Sequence, residues 1–541
     1  MQVAGSWTAP ECLPGSRVVS RNVIPRSALS RSLLGVCLLV SFLQSGFFAL
    51  ALVPDPEDTV HMFLGRLALS GDISLYQDDL PGHRAPLPYY FIGLSQFLRD
   101  RSVVVGRLWS AALGLLCFVV LLALTTHLAG ELAGTLAVLF AVSQGLIVGY
   151  FAHTSYHSLV SFLLLTGLYV ALCTNFRGKN VCAMGVFSLL FFTRTLMFPL
   201  IPLAMVYLVY RTRGWVERTG IVAATVIPPL VFFWSDPNHL KLLAFAPGFR
   251  QLVGSLGYRA SPMMMFTAIQ DPGLDTAARA FGLFVRWYKI WILAGLTVTV
   301  ALGVRAVRRQ SVRAMWSNRG VNLIGVVLLY LTVWQFVAFP TSPTWAVGYL
   351  ASFAILGAVC LGFGFSILLC EFSVTPIPRR VIVTLLCCFL LLGPSLSRPP
   401  DLPAAVSGAT APVLTLYRVS ETLRMYIPPE SRVFHLASFQ PLYLAGFDLY
   451  LRQVFGAWTL SAIADENSRK KSGLWGEAEI HGWLVSDTRY VVIDPATAGL
   501  YRAACERCVE LVSRLLAEHF TLVAVLDGDQ GHSYRIYRRR T

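Results

Sequence analysis

Three carboxylates crowd into four positions, Asp55, Glu57 and Asp58 of "VPDPEDTVHMFLG" (53–65), directly after a long apolar run. An ionised carboxylate can take a proton from a hydroxyl, and several together can hold a divalent cation, for which Glu57 and Asp58 are the candidate ligands. Asp58 is the first choice as general base, then Glu57, then Asp55. Asp58 stands last in the cluster at the mouth of a helix, and a helix N-terminus keeps a carboxylate ionised. The structural alternative is that Asp58 or Thr59 only caps that helix.

Three arginines could hold a phosphate. They are Arg84 in "HRAPLP", Arg194 in the middle of the apolar stretch 181–210, and Arg259 in the loop 235–286. The alternatives are a headgroup anchor for Arg84 and a snorkelling side chain for Arg194. His153 and His157 are spaced i, i+4 and could share a metal. With no carboxylate on the same helix, they read as structural histidines. Cys505-Glu-Arg-Cys508 is the one close cysteine pair outside an apolar run. No second CxxC accompanies it, so it reads as a local structural element rather than a zinc site.

The elements that must position these residues are membrane helices. Of 541 residues, 55% are hydrophobic and only 13% charged, against about 25% charged in soluble domains. Eleven runs approach the span length of about 20 residues: 32–53, 103–124, 132–150, 158–175, 181–193, 195–210, 220–234, 287–304, 321–338, 344–369 and 381–397. The net charge of +15 sits in short loops between these runs. Such clustering follows the positive-inside rule and calls for no nucleic acid. "NFRGKN", "RTRGWVER", "RAVRRQSVRAMWSNR" and "TPIPRR" fall inside, and the acidic 54–58 segment falls outside. The N-terminus is then cytoplasmic and the C-terminus extracytoplasmic.

Residues 181–210 break the pattern. Both flanks are basic, so both belong inside. One 30-residue helix would be about 45 Å long, against a hydrocarbon core of about 30 Å. Two short arms of about 15 residues satisfy the charges and leave Thr193, Arg194 and Thr195 as a tip within the membrane, where bare backbone must line a protein cavity.

Two further regions lie outside. In the first outer loop, 54–102, Val60, Phe63, Leu64 and Leu67 follow the spacing of an amphipathic helix lying on the membrane. A second helix starts at Pro86 or Pro88 and runs to about Leu98. From 398 onward "SRVFHLA", "RYVVID" and "TLVAVLD" read as buried strands and 499–519 as a helix, with "DGDQGHS" turning into a last strand "YRIYRR". The expected organisation is a cytoplasmic segment 1–31, a transmembrane domain 32–397 and an extracytoplasmic α/β domain 398–541.

The order of motifs resembles the GT-C class of membrane glycosyltransferases. It is closest to the branch of protein O-mannosyltransferases and the aminoarabinose transferase that modifies lipid A. The acidic cluster, an amphipathic helix, "HRAPLPYYFIG", a second helix and "GRLWSAALGLL" follow one another as in that class. "FAHTSYHSLVSFLLLTGLYV", "FFTRTLMFPLIPLAMVYL" and "FPTSPTWAVGYLASFAILGA" are similar to its later spans. His153, Tyr156 and His157 stand where the family usually carries Arg or Asp, and Glu57-Asp58 stands where it often shows Asp-Glu.

The resemblance implies a polytopic α-helical protein of the cell membrane that moves a sugar from a polyprenyl-phosphate donor to a lipid, glycan or protein acceptor at the outer face. It implies an inverting displacement with a carboxylate base and Arg84, Arg194 and Arg259 on the donor phosphate. It fixes no cofactor: family members differ in metal requirement, and a divalent cation is the candidate. The competing readings are a transporter or flippase of lipid-linked sugar, which the broken arms would suit, and an inactive scaffold of the same family.

Overall fold

A computed structural model of the chain describes residues 28–52, 56–76, 80, 85–245, 354–366, 412–462, 465–527 and 532–540, with isolated positions at 255, 300, 322, 325, 327 and 329. Asp55, Arg84 and Arg259, and most of the expected spans beyond 287, lie outside the described residues.

Helix α1 (Ala28–Ala51) is the first apolar run. Two short helices follow on the loop side, α2 (Pro56–Ser70) and α3 (Pro86–Gly93), and a single turn, α4 (Ser95–Leu98). Each of the first two begins with proline, whose fixed φ and missing N–H suit the first helical position. They cross at two glycines: a Cβ on Gly65 would overlap the backbone of Tyr89, and one on Gly93 would overlap the backbone of Gly65. The second loop helix is shorter than its apolar pattern, ending at Gly93 and restarting as α4.

Helix α5 (Val103–Ala129) is capped by Ser102, whose hydroxyl accepts from the Val105 N–H. The next apolar run is two helices, α6 (Glu131–Ser143) and α7 (Gly145–Ala152), bent by 71° at Gln144. Helix α8 (His157–Cys173) starts after an irregular segment, 153–156. The arms then appear as α9 (Lys179–Leu189) and α10 (Leu200–Arg211), joined through two 3₁₀ turns that flank an extended Arg194. Helix α11 (Trp215–Ser235) presents Val226, Ile227, Leu230, Val231 and Trp234 outward. Such an apolar surface suits lipid contact. A 3₁₀ stretch, Pro237–Phe245, follows it.

Among the described residues, α1 from Arg31, α5 and α11 are long and apolar enough to cross a membrane, and the bent α6–α7 pair makes a fourth if it counts as one span. A further apolar helix, α12 (Ala354–Ser366), packs Phe365 on Phe140 of α6.

The C-terminal part is an α/β unit. Helix α13 (Pro412–Tyr426) leads into β1 (Arg432–Leu436), α14 (Phe439–Ala445), β2 (Asp448–Leu449), α15 (Glu466–Lys471), α16 (Glu477–Ser486), β3 (Tyr490–Ile493), α17 (Pro495–Ala504), α18 (Glu506–His519), β4 (Phe520–Asp527) and β5 (Ser533–Arg539). The sheet order is β2-β1-β3-β5-β4, with β1 parallel to β2 and β3, and β5 antiparallel to β3 and β4.

Two expectations change here. "TLVAVLD" is not a buried strand: β4 lies at the sheet edge, with Leu522 and Val525 each 53% exposed. The expected helix 499–519 is two helices, because Cys505 is extended (φ −159°, ψ 94°) and forms the N-cap of α18. That break lets Cys505 and Cys508 close a disulfide without bending a regular helix.

The unit docks on α2, α4 and the start of α5. Phe63 of α2 lies 5.5 Å from the ring of Phe439 and 5.4 Å from that of Tyr443, both in α14. The Tyr443 hydroxyl donates to Gln96 Oε1, and the Val103 N–H donates to the Tyr417 hydroxyl. On the apolar face of α2, Phe63 thus meets protein rather than lipid, while Val60 and Leu64 are buried in the same core.

Candidate active site

Helix α2 begins at Pro56, so Asp58 is its third residue and neither Asp58 nor Thr59 is the N-cap. The Asp58 side chain points into the protein and is 1% exposed. Its Oδ2 lies 2.6 Å from Nη2 of Arg107, which sits in the second turn of α5 and is itself fully buried. Its Oδ1 accepts from the Thr154 backbone N–H at 2.8 Å and from the Thr154 hydroxyl at 2.6 Å. His153 Nδ1 stands 3.5 Å from the same oxygen. Gly106 allows this convergence, because a Cβ there would press on Met62 Sδ and Thr154 Cγ2 at 2.6 and 2.7 Å.

Burial alone would raise the Asp58 pKa. The Arg107 guanidinium, His153 and the Thr154 hydrogen bond outweigh it and hold the carboxyl well below the usual carboxylate range. Asp58 is therefore ionised at any working pH, as the sequence suggested, but by an ion pair more than by the helix dipole. Its oxygens already carry an arginine and three further contacts. A divalent cation would have to share Oδ2 with a buried guanidinium, so Asp58 does not fit a metal ligand.

The segment 153–156 joins this carboxylate to the break between α9 and α10. The guanidinium of Arg194 lies over the ring of Tyr156 at 4.3 Å. His157, first residue of α8, packs its ring against Tyr150 at 4.9 Å and Tyr156 at 4.4 Å. Arg194 and Asp58, 136 positions apart in sequence, thus sit at the two ends of one short irregular stretch. Of the expected site residues, the structure brings together Asp58 and Arg194. The backbone of Glu57 lies in the first turn of α2, and its side chain is not described.

Four participants were not singled out as site residues from sequence. Arg107 had a signal, since an arginine inside an apolar span needs a partner. Thr154 had none beyond its place in a polar break. His61 is buried beside the site with its ring 4.8 Å from that of Tyr89. Lys241 is buried in the 3₁₀ stretch after α11, where its Nζ donates to the Leu80 carbonyl at 3.4 Å. That stretch packs on the turn that follows Arg194.

Among the described residues, Glu477, Cys505 and Cys508 are the one group of three potential ligand side chains close enough to share a metal. The two sulfurs are bonded to each other, so no thiolates are available. A cleft of about 690 Å³ opens between the second half of α2 and the β2 edge of the sheet, lined in part by Phe63, Leu67, Arg101, Asp448, Tyr450 and Trp483.

The fold is similar to those of two solved proteins, ArnT and an archaeal oligosaccharyltransferase. The crystal structure of ArnT from Cupriavidus metallidurans bound to undecaprenyl phosphate matches 95% of this chain and 98% of its own, with a TM-score of 0.53 at 14% identity. The apo form of the same protein matches 94% and 97%, with a TM-score of 0.51 at 16% identity. The oligosaccharyltransferase of Archaeoglobus fulgidus in its apo form matches 94% of this chain and 74% of its own, with a TM-score of 0.51 at 13% identity. No protein-family model matches the chain, and no curated protein is significantly similar to it.

Proposed function

We propose that this protein is a glycosyltransferase of the cell membrane that moves a sugar from a polyprenyl-phosphate donor to an acceptor hydroxyl or amine at the outer face. The observation that supports the reading is the placement of a buried, ionised Asp58 and of Arg194 at opposite ends of the 153–157 segment. A donor of this kind keeps its polyprenyl tail in the bilayer and its sugar at the surface. The ArnT relative that shares this fold was crystallised with undecaprenyl phosphate.

The acceptor attacks the anomeric carbon from the side opposite the phosphate, which inverts the configuration. A base takes the acceptor's proton, and guanidinium groups hold the departing phosphate. Arg194 is the described residue for the second role, with Arg84 and Arg259 as its expected companions. Asp55 and Glu57 retain their place as candidate bases. Asp58, enclosed by Arg107 and Thr154, serves better as the anchor that fixes the site. A divalent cation, if used, would have to draw on Glu57 or Asp55 rather than Asp58. The cleft between α2 and the α/β unit offers the acceptor, whether lipid, glycan or protein, an approach along α2. The N-terminus then lies in the cytoplasm, and residues 398–541 form an extracytoplasmic domain above the membrane-embedded part 32–397.

Purified full-length protein in detergent, given radiolabelled polyprenyl-phosphate pentoses and hexoses and a panel of membrane lipid acceptors, should release polyprenyl phosphate and label an acceptor. Transport of the lipid-linked sugar across vesicles with no bond cleaved would point to a flippase instead.

A further inference from the structure

Three histidines, His61, His153 and His157, lie in this part of the fold, and they differ in what they can reach. His61 and His157 are buried, the first against Tyr89 and the second between Tyr150 and Tyr156. His153 keeps 14% of its side chain exposed while its Nδ1 stands 3.5 Å from Asp58 Oδ1. Asp58 itself, at 1% exposure and with an arginine on Oδ2 and Thr154 on Oδ1, offers an incoming hydroxyl no open face.

We propose that His153, oriented by Asp58, is the base that takes the acceptor's proton. The inference rests on the glycosyl-transfer reading above and names the base within it. With the Nδ1 hydrogen directed at the carboxylate, the lone pair lies on Nε2, on the opposite edge of the ring. The geometry follows the nucleophile–base–orienting group logic in which a buried acid fixes the imidazole tautomer and stabilises its protonated form. Here Asp58 is a positioning residue, and Arg107 and Thr154 position Asp58.

The backbone holds the ring in place. His153 is the extended C-cap of α7 (φ −75°, ψ 144°), its N–H donates to the Tyr150 carbonyl at 3.4 Å, and its own carbonyl accepts from the Ser155 N–H at 2.8 Å. Arg194 stands over Tyr156, three residues further along the same segment. A phosphate held there and a base at His153 lie on one stretch of backbone.

In the step itself the acceptor oxygen forms its bond to the anomeric carbon as the carbon–oxygen bond to phosphate breaks. The bonding pair leaves with the phosphate, and the acceptor's proton passes to His153 Nε2. The imidazolium then returns the proton to water, so atoms and charge balance without any co-reactant.

The test is kinetic, on full-length protein with a labelled polyprenyl-phosphate sugar that the wild type transfers. His153→Ala should lower kcat by about 10²-fold or more, the usual scale for a general base, and leave the donor KM within about twofold. Added imidazole should restore at least fivefold of the loss in His153→Ala but do nothing for wild type. His153→Gln keeps the volume and should be equally slow, without a fall in melting temperature. Retention of kcat within threefold in either variant overturns the proposal. So does loss of rate without imidazole rescue, or full loss in Glu57→Gln with His153→Ala active. A wild type that transfers none of the sugars overturns the glycosyl-transfer reading instead, and this inference with it.

Discussion

Arg107 Nη2 lies 2.6 Å from Asp58 Oδ2 with both side chains out of contact with solvent, and Nη1 of the same guanidinium donates to the carbonyls of Ala49 and Leu52 at 3.1 and 2.9 Å. One side chain on α5 thereby ties the end of α1, the start of α2 and its own helix. The Ala49 carbonyl belongs to the last turn of α1 and the Leu52 carbonyl follows it directly, where intrahelical donors run out. Asp58 is thus part of a joint that ties α1, α2 and α5 together.

Removing one half of a buried ion pair leaves the other charge without compensation, at a cost of about 3–5 kcal/mol. Arg107→Met should therefore lower the melting temperature of the detergent-solubilised protein sharply. Arg107→Lys should restore little, because an ammonium on that stem does not reach the carboxylate and both carbonyls together. Asp58→Asn should show both a stability loss and a fall in transfer rate on the order of 10²-fold. Melting curves for all three that overlay the wild type would remove the joint described here.

Arg194 is expected to act on the donor alone. Losing a charge-assisted hydrogen bond costs roughly 1.5–3 kcal/mol, so Arg194→Ala should raise the donor KM or Kd by about ten- to a hundredfold. The acceptor KM should stay as it is. An Arg194→Ala enzyme with an unaltered donor KM would leave Arg194 as a packing partner of Tyr156.

Cys505 and Cys508 join the N-cap of α18 to its first turn. A loop this short constrains the unfolded chain by about 2 kcal/mol in the chain-entropy model. Changing both to Ser should weaken protection of α17 and α18 in hydrogen exchange while leaving transfer at low temperature unchanged. Complete loss of transfer at a normal protein level would assign the pair a role in the reaction.

His435 on β1 has its Nδ1 on the Ala437 carbonyl at 3.1 Å, and its Nε2 has no hydrogen-bond partner among the described residues. Burial pushes its pKa down to about 4. In the unfolded chain the group protonates near pH 6.5, so below that pH the unfolded state binds a proton the folded state does not. Stability from this group is fully present above pH 6.5 and falls as pH drops towards 4, by about 3 kcal/mol across the window. Hydrogen exchange of β1 amides should report that slope, and His435→Gln should flatten it. A wild-type slope equal to that of the variant would show that His435 titrates normally.

A reporter fused after Thr541 tests the sidedness. The basic loops place the C-terminus outside, so an alkaline phosphatase fusion should be active and a green fluorescent fusion dark in a bacterial host. The opposite pattern would put Asp58 and the α/β unit in the cytoplasm, where a lipid-linked donor at the outer face is out of reach.

The sequence by itself determined the class of protein and its outline. Apolar runs of span length and a shortage of charge leave a bilayer as the only solvent that suits most of the chain. Basic flanks on both sides of 181–210 required paired short arms with Arg194 at their tip, and the structure has that break. The short apolar runs at 432–436 and 490–493 and the segment 533–539 after a turn became strands, because short β-branched and aromatic runs bounded by turn residues are local information. Tertiary structure alone decided the partners. Asp58 meets Arg107 and Thr154 across 49 and 96 positions, and no spacing rule connects such residues. It decided that β4 lies at the sheet edge, since an apolar run fits an exposed strand and a buried one equally well until its neighbours are fixed. It decided, too, that His153 faces Asp58: a helix placing His153 and His157 on one side requires regular backbone, and the 153–156 segment is irregular. Residue types and local periods are written in the chain, whereas which charge neutralises which is set only when helices far apart in sequence pack against one another.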